Sequence, residues 1–338
     1  MHGKKERVAK VSAGTGLTRL LEAIPPRPSL LILNYHRIGD RTKTPYDSGT
    51  FSATTAEFDW QVRHIMRSHR IVNLEEAKEI VQGRATPRDA AVLLTFDDGY
   101  RDNFEEAFPV LQRHGVSATF FLPTAFVGTG RLPWWDVIAY LIKNAKPERI
   151  ALTYPEPAEF DLTSANRPRA TVQILRQFKK PAASDAERFL GELETACDTP
   201  RPGTAAERCF LNWDEAREMQ AEGMCFGSHT HTHPILAKLG YGSQLEELRT
   251  SREIIEGELR RPGDTLAYPV GQRDSFSADS VKALKEAGYS AAFSFYGGVN
   301  KPGSIAPYNV LRGGVDDESR AIFRLRLALE SATGRALL

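Results

Sequence analysis

The chain is short of cysteine. Cys197, Cys209 and Cys225 are odd in number and lack metal-ligand spacing, so a disulfide framework is excluded and reduced thiols of the cytoplasm fit better. Net charge is nearly absent as well. At +1 over 338 residues, no whole-chain electrostatic case for nucleic acid exists. Long hydrophobic runs are missing. SLLILNY (29–35) is far too short to cross a bilayer and reads as a buried strand. The N-terminal stretch 1–28 is basic, but Arg19, Glu22 and prolines break its apolar patch. It reads as a solvated, partly ordered tail without a secretory signal, with a short amphipathic helix on a membrane surface as the alternative. There is no internal repeat of fixed period.

What is present is a βαβ rhythm. Leu30–Asn34 reads as a buried strand and 35–50 as a long loop. Thr55–Ser68 places Phe58, Val62 and Ile65 on one helical face, and Leu74–Gln82 is a second helix. Ala91–Phe96 is a continuous apolar run that stops at Asp-Asp-Gly, as a buried parallel strand does. A helix over 103–115 and the strand-like SATFFLP (117–123) follow, completing strand, loop, helix, strand. Later strands are expected at 224–227, 265–268 and 291–295, with helices at 212–222, 243–260, 277–287 and 319–332. Residues 128–211 are polar and irregular around one helix, LPWWDVIAYLIKNA, and read as an insertion.

Three segments sit at the C-terminal ends of predicted strands, where α/β barrels place their active sites: TFDDG (95–99), SHTHTH (228–233) and AYPVG (267–271). Adjacent carboxylates behind an apolar strand need a reason, because buried charge is costly unless it is paired or bound to metal. Asp97 and Asp98 diverge from the backbone, so one can ligate a metal while the other accepts a proton. The plainer reading is an Asp capping the next helix. Three of the eight histidines, His229, His231 and His233, fall within five residues. If this stretch starts a helix, His229 and His233 share a face and His231 points elsewhere. Two imidazoles and a carboxylate suit zinc, or cobalt, nickel or iron.

The joint pattern resembles the polysaccharide deacetylase family, the carbohydrate esterases that share the NodB homology domain. The resemblance runs from about Asn34 to about Val315. It implies an α/β fold, a distorted (β/α) barrel of about seven strands with a helical insertion. It implies Asp97 as general base, Asp98, His229 and His233 as ligands of a divalent metal, and an N-acetylated sugar or polysaccharide as substrate. The family's third motif, Arg-x-Pro-Tyr-Gly, is here Ala267-Tyr268-Pro269-Val270-Gly271, as in a variant branch. Val270 can still supply the backbone N–H that meets the oxyanion, since side-chain identity is irrelevant to it. The missing Arg leaves Arg312 as the candidate to orient Asp97, against the plainer reading of a surface Arg. No histidine follows His233, so the family's late general-acid histidine is absent. His36, Asp97 itself or water at the metal could take its place, with a structural histidine tying down the first loop as the plainer reading of His36. Trp134 and Trp135, with Tyr268, are candidate sugar contacts, with core packing as the plainer reading of the tryptophan pair. A small-amide (ureide-like) hydrolase and an idle sugar-binding module are the rival functions.

Overall fold

The computed structural model describes residues 2–87, 89–204 and 208–334. These fall into two compact units. The first comprises 1–39, 51–127 and 210–338; the second comprises 40–50 and 128–209.

The first unit is built on a parallel sheet. Its strands are β1 (Ser29–Tyr35), β2 (Arg70–Val72), β3 (Ala90–Phe96), β4 (Thr119–Leu122), β5 (Cys225–Ser228), β6 (Thr265–Ala267), β7 (Ala291–Phe293) and β8 (Gly313–Gly314). Seven of them run in the order β7-β6-β5-β4-β3-β1-β8, and β2 pairs with the first half of β3 on the edge whose second half takes β4. Val310 bridges Phe293 while Gly313 and Gly314 pair with Leu33 and Asn34. The segment 310–314 thereby brings the two ends of the path together, as a distorted (β/α) barrel requires. Every residue of β1 and β3 is buried. Helices cover the outer face and side chains fill the inner one, which explains the unbroken apolar runs.

The helices follow local chemistry. The helix Thr55–Ile65 is capped by the Thr54 side chain, which accepts from the Glu57 N–H, and it buries Phe58, Val62 and Ile65. Asn212 forms a reciprocal capping box with Glu215 at the start of the helix Trp213–Ala221. The helix expected over 103–115 is split. Residues 103–107 take a wide π turn, and regular α-helix runs only from Phe108 to His114. Pro109 has no N–H to close a regular turn, so the wider turn precedes it.

The N-terminus differs from the solvated tail its composition suggests. His2–Gly14 and Leu17–Glu22 are helices that pack against the last helix, Arg320–Thr333, and Ala9 joins Ile322 and Leu325 in a small buried cluster.

The second unit has its own core. Helices Trp134–Asn144, Arg167–Lys179 and Ala186–Cys197 pack with an antiparallel ribbon, Arg149–Leu152 against Ala158–Asp161. Part of the expected 35–50 loop belongs here: the Asp47 N–H donates to Asp136, and Lys143 donates to the Thr44 carbonyl.

Candidate metal centre and active site

Two strand ends deliver the central residues. The Asp97 N–H continues the ladder onto the Tyr35 carbonyl, and the His229 N–H continues it onto the Leu122 carbonyl. Beyond those points the chain turns sharply. Asp98, Thr230, His233 and Val270 all have φ between 59° and 71°. Side chains other than glycine rarely adopt this region, and a β-branched Val there is strained. The other two such residues, Asp198 and Arg260, are ordinary helix C-caps. Backbone strain outside helix ends is therefore concentrated in the three motif loops. Gly99 is required by space as well as by its φ of 65°, since a Cβ would approach Leu122 Cδ2 to 2.6 Å.

The turns converge three side chains. The Asp98 Oδ1 lies 3.5 Å from His229 Nε2 and 3.4 Å from His233 Nε2, and the two Nε2 atoms are 3.1 Å apart. All three residues are buried. His229 Nδ1 donates to the Ala267 carbonyl at 2.7 Å, which leaves the Nε2 lone pair facing Asp98. Burial pushes the His229 imidazole down to about 4, with nearby His233 adding to the effect against the pull of Asp97 and Asp98. His229 is thus a neutral ligand-type base at neutral pH. The loop is not the start of a helix, as its spacing suggests, because Thr230 and His233 are left-handed. Glu247 holds it instead, accepting from the His231 and Thr232 N–H groups and the Thr232 hydroxyl, while Thr230 Oγ1 accepts from the His233 N–H. His231 turns away and hydrogen-bonds Thr124.

Asp97 sits beside this cluster, its Oδ2 3.9 Å from His229 Nε2. Arg312 is fully buried and clasps the Asp97 carboxylate with both terminal nitrogens, at 2.7 and 2.8 Å. Its Nε donates to the Ser294 carbonyl. Asn34 closes the network: its Nδ2 donates to Asp97 Oδ2, and its Oδ1 accepts from Arg312 and from Thr95. Burial alone would raise the Asp97 carboxyl. The Arg312 charge and hydrogen bonds, with His229, hold it far below the usual range. Burial likewise acts to raise Asp98, but hydrogen bonding and charge from His233 leave it lowered.

These residues fit a divalent cation. Asp98 is a buried carboxylate whose ion-pair partners among the described residues are imidazoles, since Arg312 is committed to Asp97. Three ligand atoms within 4.8 Å of one another, one of them on an imidazole whose other nitrogen is already tied, form a donor set for zinc and its neighbours.

The remaining candidates separate. Val270 follows β6 by three residues, and its N–H makes no hydrogen bond among the described residues. His36 follows β1 and packs edge-on to Phe295 at 5.6 Å. Tyr268, expected as a sugar contact, is instead a core residue. It stacks on Phe276 and spends its hydroxyl on the Tyr308 carbonyl. Trp134 and Trp135 also take the packing role, inside the second unit. Trp134 stacks on Phe178 at 4.3 Å, and Trp135 is buried against the same cluster. Asn34, Thr95 and Glu247 were not among the sequence candidates. A polar residue near the end of an apolar strand marks the first two; Glu247 lies in a charge-rich helix with nothing to single it out.

A parallel sheet curled towards a barrel thus brings a carboxylate and two histidines together at its strand ends. The family model for polysaccharide deacetylases matches residues 84–292, well over half of the chain, and the chain belongs to that family. YxkH of Bacillus subtilis is 31% identical over 263 residues, covering 77% of this chain and 62% of that protein. The poly-beta-1,6-N-acetyl-D-glucosamine N-deacetylase of Staphylococcus epidermidis is 32% identical over 114 residues, 30% of this chain and 38% of its own length. The chain thus spans less than two thirds of both relatives. Among solved structures, the Streptococcus pyogenes deacetylase PplD in complex with acetate superposes with a TM-score of 0.57 at 16% identity, covering 87% of this chain and 96% of that one. IcaB from Ammonifex degensii gives 0.57 at 20% identity, covering 91% and 99%. At such identities these two show a shared fold. The family match contains Asp97, Asp98, His229, His233 and Val270, but not Asn34, His36 or Arg312.

Proposed function

We propose that this chain is a metal-dependent N-deacetylase that removes acetyl groups from an amino sugar in a polysaccharide, oligosaccharide or glycan precursor. The observation that carries the reading is the buried convergence of Asp98, His229 and His233 beside an Asp97 gripped by Arg312. The naming of the Staphylococcus epidermidis relative supports the substrate class. Asp98, His229 and His233 would hold a divalent ion, zinc by donor type, with cobalt, nickel or iron as alternatives. Such an ion polarises an amide carbonyl and acidifies water.

The chain's own groups divide the proton and charge work. Asp97, kept ionised by Arg312 and Asn34, accepts the proton of the attacking water. The carbonyl carbon gains the water oxygen, and its own oxygen becomes an oxyanion for which the Val270 N–H is the donor. His36 gives a proton to the leaving nitrogen as the C–N bond breaks. The products are acetate and a free amine. The left-handed turn at Val270 is what frees its N–H from the ladder, so the strain there has a use.

The test is acetate release from a panel of N-acetylated glycans and small amides, with metal content measured before and after chelation. Glycan-dependent release that chelation abolishes and metal restores is expected. Release from small amides alone would favour a ureide-like hydrolase. Bound metal with no release from any substrate would make the chain a binding module.

A further inference from the structure

Among the described residues, seven large hydrophobic side chains are exposed, and five of them lie between residues 8 and 24: Val8, Val11, Leu17, Leu20 and Ile24. They are not the loose ends of an unfolded segment. The two N-terminal helices turn Ala9, Ser12 and Thr18 inward, where Ser12 and Thr18 hydrogen-bond each other. Arg324 of the last helix clasps Glu22 at 2.7 and 2.6 Å, and Ser319 donates to Glu6. The outward residues repeat at helical spacing, 8 and 11 on one helix and 17 and 20 on the other, with Ile24 one turn on. Folding therefore pins this pair and leaves an apolar face open.

Charge identifies what covers it. Residues 1–28 hold six of the 44 Lys and Arg but two of the 43 Asp and Glu, a net +4 that leaves the other residues at −3. Both acids, Glu6 and Glu22, are tied to the last helix. Arg7, Lys10 and Arg19 stand exposed beside the apolar residues. Among the described residues no helix is long and apolar enough to cross a bilayer. Apolar side chains level with the headgroups, ringed by cations, are the features of a helix that lies in a membrane interface.

We infer that the N-terminal helix pair docks the protein on an anionic lipid bilayer, with Val8, Val11, Leu17, Leu20 and Ile24 inserted and Arg7, Lys10 and Arg19 against the headgroups. A second copy of the chain is the competing occupant, and it would need an acidic counterpart that the face itself does not offer. The test is co-sedimentation of the full chain with phosphatidylcholine vesicles, with and without roughly a third phosphatidylglycerol, at low and high salt. Binding to the anionic vesicles alone, weakened by salt, is expected. The Leu17→Ser/Leu20→Ser variant should lose about tenfold or more in partitioning, and Arg7→Glu/Arg19→Glu should abolish the preference for anionic lipid. Both pairs are exposed, and circular dichroism checks that both variants fold. Three results would overturn the inference: no binding to either vesicle, binding unchanged in both variants, or a solution dimer that Leu17→Ser/Leu20→Ser dissociates without any vesicle binding. None of these depends on deacetylation.

Discussion

The two halves of the candidate site are built by different means. Asp98, His229 and His233 are presented by tight turns just past two strand ends, within seven residues of sequence in total, and each turn contains left-handed residues. Asp97 is instead held by Arg312 and Asn34, with Thr95 bracing Asn34, and these three come from separate strands or strand-like segments. The first half is local geometry under strain; the second is a buried network spread over more than two hundred residues of chain. A metal can compensate imperfect placement of its ligands, because its binding energy is large. A proton acceptor has no such help, and its carboxylate must be fixed by neighbours whose every polar group is satisfied.

That difference predicts different failures. Asp98→Ala should abolish metal binding and lower acetate release about a thousandfold or more, as elemental analysis and product assay would show. Arg312→Ala should act through the fold as well. Removing one partner of a fully buried pair leaves Asp97 uncompensated at a cost of ~3–5 kcal/mol, read from denaturant unfolding. Trp135→Ala should cost a similar ~3–5 kcal/mol through its cavity in the second unit; a raised KM without lost stability would instead return Trp135 to a sugar-binding role. The smallest effect is expected at Val270→Gly. Glycine keeps the N–H and accepts φ 63° without strain, so turnover should stay within about twofold and stability within ~1 kcal/mol. A large loss of turnover would mean that the Val side chain contributes more than its backbone.

The same contrast governs what could be read from the sequence. The Asp98, His229 and His233 cluster was legible because its residues are chemically distinctive and follow apolar runs that read as strands. Even there the chain does not take the helical form in which 229 and 233 would share a face, since positive φ at Thr230 and His233 leaves no mark in residue type. Arg312 could be nominated only because the third motif has Ala267 where the family has Arg. Nothing local to NVLRGG distinguishes a buried clasp from a surface charge. Asn34 carries a signal of its own: a polar residue inside SLLILNY has to satisfy its amide somewhere. Tyr268, Trp134 and Trp135 show the converse. An aromatic residue near a motif has no sequence feature that separates a sugar face from a core: Tyr268 and Trp135 are buried, while Trp134 is half-buried against the second unit's cluster. A parallel α/β fold was legible from strand–helix alternation and the barrel from the family resemblance, whereas the recruitment of residues 40–50 into the second unit was not, because it rests on hydrogen bonds to Asp136 and from Lys143, distant in sequence.

In the proposed mechanism adjacent carboxylates do separate work, and Asp97→Asn tests this most directly. Asparagine preserves shape but cannot accept the proton. Metal content should match that of the unaltered protein while acetate release falls by about a hundredfold to ten-thousandfold. Full activity in Asp97→Asn, or loss of metal with it, would contradict the division.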